Sequence, residues 1–282
     1  MEKRILGKTG EKLSVVGFGG ILVMEEEPKT ACRLVAQAVE RGINYFDVAP
    51  TYGNAEEMLG PALEPYRKSV FLACKTVEKT KEKVRLELKQ SLKRLRTDHL
   101  DLYQLHGIKT LDEVRQIMSP GGAMEAFLEA KKEGLVRFLG FSAHSEKAAL
   151  ALLEQYDFDT ILFPVNWVCW YQGNFGPKVI EEAKKKGAGI LALKSMAKRK
   201  WKEGEKRTLS KCWYFPVEDE KEASLAFRFT LSKPVTAAST PGHQKYLWWA
   251  CDTADNLKPL SKEEEKHLEE QSRGLEPIFN HS

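Results

Sequence analysis

Three successive apolar runs in this 282-residue chain end in an acid, an ammonium and an imidazole, with a phenol beside the first. Asn44-Tyr45-Phe46 reads as a short buried strand running into Asp47, and Pro50 and Gly53 turn the following stretch, Val48 to Gly53, into a loop that carries Tyr52. Val70-Phe71-Leu72-Ala73-Cys74 runs into Lys75, and Leu100-Asp101-Leu102-Tyr103-Gln104-Leu105 runs into His106. A phenol with an ordinary pKa of about 10 does little at neutral pH, so Tyr52 needs a neighbour that lowers it. An ammonium held close by an acid is such a neighbour. Each residue alone could be structural, as an ion pair or a turn histidine. Their joint occurrence at matching strand ends favours an active site.

The elements that would position them follow from the alternation of short apolar runs with longer amphipathic segments, the pattern of parallel strands joined by helices. A β-hairpin is expected over Arg4 to Ser14, with Lys8-Thr9-Gly10 at its turn. Eight strands are expected after it: Val15–Gly19, Ile43–Asp47, Val70–Lys75, Leu100–His106, Val136–Ser142, Thr160–Asn166, Gly189–Lys194 and Val235–Ser239. Val84, Leu88, Leu92 and Leu95 form one helical stripe, and Gly42, Gly134 and Gly187 stand where helices should stop. Eight such units make a closed (β/α)8 TIM barrel with an N-terminal hairpin the leading architecture, ahead of an open doubly wound sheet. The extra length lies in Ala197 to Val217 and in a charged helix near Ser261 to Gln271. No linker or repeat divides the chain, so residues 1–282 are read as one domain. In such barrels chemistry sits at the C-terminal ends of the strands, where Asp47, Lys75 and His106 would meet.

Bulk properties narrow the function. With 44 basic and 40 acidic residues, a net +4 is too weak to argue for nucleic acid. The five cysteines show neither CxxC nor zinc-type spacing, and His106 and His144 lack an HxH partner, so no metal site is expected. An unframed, odd cysteine count, with no signal-like or membrane-spanning stretch, leads to the expectation of a cytoplasmic protein without membrane contact.

The motifs run in order from Asp47 to Gly53 with Glu56 and Gly60, then Lys75, then Asp98 to His106, then Gly134 to Ser142. Together they resemble the aldo-keto reductase family. The resemblance runs from the hairpin to the eighth strand and implies an NADPH-dependent reductase of small aldehydes or ketones. Asp47, Tyr52, Lys75 and His106 would be its catalytic set, with Tyr52 as general acid, Lys75 held by Asp47 favouring the phenolate, and His106 orienting the carbonyl oxygen.

Gly17-Phe18-Gly19-Gly20 lacks the third glycine of a Rossmann fingerprint. The resemblance instead implies NADP(H) lying across the barrel mouth. Ser142 and Asn166 would hold the carboxamide, and Leu193 stands where the family has a stacking aromatic. Lys194 and Ser195 after the seventh strand and Ser239, Thr240 and His243 after the eighth would serve the phosphates. Thr240-Pro241 reads as an N-cap and first helical residue facing them. Trp167, Trp170, Tyr171, Trp201, Trp213, Tyr214 and Phe215 could rim an apolar substrate mouth or simply pack their own loops. Two other functions stay open. A Schiff-base aldolase could use Lys75 or Lys194. A cofactor-binding redox-sensing subunit would keep the same residues but turn over slowly.

Overall fold

The structure is a computed structural model that describes residues 1–281. Strands β1 (Lys3–Ile5) and β2 (Lys12–Ser14) form the expected antiparallel hairpin, with Gly10 at φ +78° in its turn. The barrel strands are β3 (Val16–Gly19), β4 (Tyr45–Asp47), β5 (Phe71–Thr76), β6 (Leu100–Ile108), β7 (Val136–Ala143), β8 (Thr160–Pro164) and β9 (Gly189–Leu193), closed by β12 (Ala237–Ser239). They are parallel, and β12 pairs with both β9 and β3 to complete the ring. The eight expected strands are thus the eight observed ones, within a few residues at each end.

Helices lie between them, among them α1 (Pro28–Glu40), α2 (Ala55–Leu63), α3 (Lys81–Arg94), α4 (Leu111–Met118), α5 (Ala123–Lys132), α6 (Glu146–Gln155), α8 (Pro177–Lys185) and α9 (Glu220–Ser232). Val84 and Leu88 of the expected stripe on α3 are buried, and Leu95 just beyond it is buried too. Gly42, Gly134 and Gly187 follow α1, α5 and α8 at positive φ, the conformation that halts a helix without a Cβ penalty. The charged C-terminal helix is α11 (Lys262–Ser272), started by a reciprocal capping box between Ser261 and Glu264.

Two features differ from expectation. Ala197 to Val217 contains a second antiparallel hairpin, β10 (Ala197–Lys200) with β11 (Tyr214–Pro216), whose short basic strand has no periodic signature. Asn166 lies beyond β8 and instead caps the short helix α7 (Trp167–Tyr171).

Alternation along the strands determines what faces the barrel axis. Tyr45, Phe71, Leu102, Leu162, Leu191 and Ala237 pack inside with Leu6 and Leu13 of the hairpin, which closes the N-terminal end. The intervening residues, such as Phe46, Leu72 and Tyr103, join the larger core between strands and helices. Two or four residues further along the same inward rows stand Asp47, Lys75, Gln104 and His106.

Candidate active site

The inward rows converge on a cavity of about 190 Å³ at the C-terminal face, lined by Asp47, Tyr52, Lys75, His106, Ser142, His144, Lys194, Ser239 and Thr240 among others. All four residues expected to do chemistry are present. Lys75 Nζ donates to Asp47, and Gln104 Nε2 donates to the other carboxylate oxygen at 3.0 Å. Both members of the ion pair are buried, Asp47 5% and Lys75 1% exposed. Burial pushes the Asp47 carboxyl up despite Lys75 and Gln104. Burial pulls the Lys75 ammonium down, but Asp47 and Tyr52 outweigh it and the net direction is up.

Tyr52 is carried by the loop after β4, where its N–H bonds to Ala49 O at 3.0 Å and Gly53 takes φ +55°. Lys75 Nζ lies 5.2 Å from the centre of its ring, and the His106 ring meets it edge-on at 5.8 Å. The sequence led to the expectation of a lowered phenol pKa. The net direction is the opposite: burial raises it, and the lowering by Lys75 is the smaller effect. Tyr52 is therefore a well-protonated acid at neutral pH. His106 is pushed down to about 2, first by burial and then by Lys75, so its imidazole is neutral. His144 is pushed down to about 4, first by burial and then by Lys194. Thr51 Oγ1 lies 3.5 Å from His106 Nδ1.

Other motif residues turn out to support this set. Glu56 of α2 is buried, pairs with Arg94 at 2.9 Å and accepts from the Cys74 thiol at 3.4 Å, tying α2 to α3 and β5. Gly60 lies so near the end of α3 that a Cβ would come 2.7 Å from Leu95 Cα. A larger residue there would displace the helix that follows the Tyr52 loop.

The residues expected to hold a cofactor divide into three groups. Ser142, Lys194, Ser239 and Thr240 line the cavity, with Gly107 N–H donating to Ser142 Oγ at 2.7 Å. The Thr240 hydroxyl is buried and has no hydrogen-bond partner among the described residues, so it has capacity for a ligand. Ser195 and Asn166 do not line the cavity. Ser195 Oγ bonds to Ser239 O at 3.1 Å, and the Asn166 amide is spent on Cys169 N–H, Lys194 O and Ala197 O. His243 faces a neighbouring cavity of about 230 Å³, also lined by Glu26, Lys211 and Gly242. The helix start read at Thr240-Pro241 is displaced: the next helix, α10 (Gln244–Asp255), is capped by His243, whose ring accepts from Lys245 N–H.

Three contributors escaped the sequence reading. Gln104 shares the inward row of His106, two residues away, and that spacing could have marked it. Lys211 lines both cavities and reaches Leu22 O at 3.2 Å and Glu26 at 2.8 Å. Phe279, far off in the C-terminal segment, packs on His144 and Trp213. Of the seven loop aromatics, Trp213 and Tyr214 line this cavity. Trp167 is fully buried, and Trp201 packs on Phe215. Lys194, just past β9, has φ +66°, a left-handed backbone that costs a non-glycine residue roughly 1–2 kcal/mol.

A model of the Aldo/keto reductase family matches residues 16–268. The chain belongs to this family. Over 157 residues the chain is 36% identical to the uncharacterized oxidoreductase YqkF of Bacillus subtilis, a match covering 51% of this chain and 49% of that protein. The chain thus spans about half the length of that relative. Over 214 residues it is 30% identical to L-galactose dehydrogenase of Arabidopsis thaliana, covering 70% of this chain and 66% of the relative. The solved holo form of aldo-keto reductase AKR11C1 from Bacillus halodurans superposes over 100% of both chains with a TM-score of 0.77 at 23% identity, a likeness of fold. Among the described residues, no helix is long and apolar enough to cross a membrane.

Proposed function

We propose that this chain reduces small aldehydes or ketones to alcohols with NADPH, using Tyr52 as the proton donor. The observation that carries this reading is the meeting of Tyr52 with the Asp47–Lys75 pair and a neutral His106 in one cavity. When bound, the reduced nicotinamide supplies the hydride for the carbonyl carbon. The partnerless Thr240 hydroxyl, with Ser142 and Ser239, is suited to hold that cofactor, and Lys211 and His243 are suited to its adenosine end.

The chain's own residues do the rest. In the Nε2-protonated tautomer, in which Nδ1 is left to accept from Thr51, His106 would offer its proton to the carbonyl oxygen, fixing the substrate and polarising it. Tyr52 gives its proton to the oxygen as negative charge develops there. The phenolate left behind is favoured by Lys75, whose charge Asp47 and Gln104 anchor. Asp47 also keeps the Lys75 amine protonated, which argues against Lys75 as a Schiff-base nucleophile.

The test is direct. NADPH should quench tryptophan fluorescence saturably below millimolar concentration, and the complex should oxidise it in step with loss of an aromatic aldehyde. Saturable binding without turnover on a carbonyl panel would favour a cofactor-sensing subunit. Absence of both would end the reductase reading.

A further inference from the structure

Three lysines line the catalytic-end cavity, and one of them has no carboxylate partner among the described residues. Lys75 is paired with Asp47, and Lys211 with Glu26. His106 and His144 are neutral. Lys194 is different. Its Nζ lies 5.2 Å from the centre of the Trp213 ring and 5.0 Å from that of Tyr214, and among the described residues no carboxylate pairs with it. Burial, the dominant influence, pulls its ammonium down to about 8, with Lys75 adding to the effect. Ring faces replace only part of the water that an ammonium gives up.

Placement adds a second observation. Lys194 lines the same cavity as Tyr52, His106 and His144, and its charge adds to the lowering of both imidazoles. Trp213, Phe279 and the His144 ring form an apolar wall beside it. The left-handed backbone at Lys194, unusual for a long side chain, sends this lysine off the end of β9. An uncompensated cation next to a carbonyl-binding set calls for an anion on the substrate itself, and one cation matches a monoanion better than a dianion.

We propose that Lys194 receives the carboxylate of the carbonyl substrate, so that carboxylated aldehydes and oxo acids are preferred to neutral carbonyls of the same shape. This rests on the reductase reading and names the substrate class for the same site. It also moves Lys194 from the cofactor phosphates, where the sequence suggested it, to the substrate.

The experiment compares 4-formylbenzoate with its neutral near-isostere 4-formylbenzamide in NADPH-linked turnover. The parent protein should favour the acid at least tenfold in kcat/KM, chiefly through KM. In Lys194→Met that preference should collapse toward one, with NADPH affinity by fluorescence the same within about twofold, and Lys194→Arg should restore part of it. Equal use of both aldehydes by the parent would overturn the proposal. So would a Lys194→Met variant with an unchanged preference, or one that binds NADPH markedly more weakly, which would return Lys194 to the cofactor. An imine trapped by borohydride at Lys194 would overturn it as well. Calorimetric titration of benzoate and benzamide into the protein–NADP⁺ complex does not depend on turnover. Benzoate should bind the parent more tightly than benzamide does, and Lys194→Met should lose that difference. Failure of both aldehydes with benzoate selectivity intact would count against the reductase reading alone, whereas equal binding of benzoate and benzamide would overturn the Lys194 assignment.

Discussion

The two ends of the barrel are built from the same strands and do opposite work. At the N-terminal end, Tyr45, Phe71 and Leu102 point inward, and Leu6 and Leu13 of the hairpin seal them from water. Two or four residues on, the same rows carry Asp47, Lys75 and His106 into a cavity, with Gln104 buried behind Asp47. The closed end gains stability from apolar burial. The open end buries an ion pair, and such a pair seldom adds net stability once desolvation is counted. What it provides is a fixed charge beside Tyr52. The difference teaches that position along a strand, more than residue type, separates the sealed apolar end from the polar cavity end to which the proposed chemistry is assigned.

Lys75→Met is expected to have the largest effect. Reduction should fall by roughly 10³-fold, within the range that acid–base catalysis contributes. Because Asp47 would be left buried and charged, stability should drop by about 3 kcal/mol, and Asp47→Asn added to it should recover most of the stability but none of the activity. Denaturant unfolding alongside steady-state rates checks both. If Lys75→Met kept activity within tenfold of the parent, the open end would be structural after all.

A sharper contrast uses one strand. Leu102→Ala, at the closed end of β6, should cost about 2–5 kcal/mol of stability while turnover per folded molecule stays near that of the parent. Gln104→Leu, two residues along, removes the bond to Asp47 and should lower turnover by about tenfold with a smaller change in stability. Reversed outcomes would break the division between the ends.

The smallest expected effect is on pH dependence. His106 and His144 sit below their unfolded value of about 6.5 in the folded protein, so the unfolded chain binds more protons as pH falls. Stability from them is present above 6.5 and is lost on acidification, down to about 4 for His144 and about 2 for His106. Each contributes at most about 1.4 kcal/mol per pH unit. Unfolding midpoints of the parent and of His144→Gln between pH 7 and pH 5 should show a shallower slope in the variant. Identical slopes would mean that His144 titrates normally.

The barrel was legible because its strands are short apolar runs with punctuating glycines, and Asp47, Lys75 and His106 end three of those runs with Tyr52 in the loop after the first. What escaped the sequence has common causes. The pKa of Tyr52 depends on how deeply the loop buries it, which residue types do not reveal. Asn166 and Thr240-Pro241 were misplaced because short turns after β8 and β12 intervene before the next helices begin. Lys211 and Phe279 reach the cavity from segments distant in sequence, and only the folded chain brings them there.

The central claim is that Tyr52 supplies the proton, and Tyr52→Phe tests it most directly. The change removes one oxygen and almost no volume, so the variant should fold with stability within about 1–2 kcal/mol of the parent. NADPH affinity should match the parent, while reduction of an aromatic aldehyde should slow at least a hundredfold, about 2.7 kcal/mol of barrier. A folded Tyr52→Phe protein that binds NADPH and keeps most of its reductase activity would contradict the account and leave His106 as the first alternative donor.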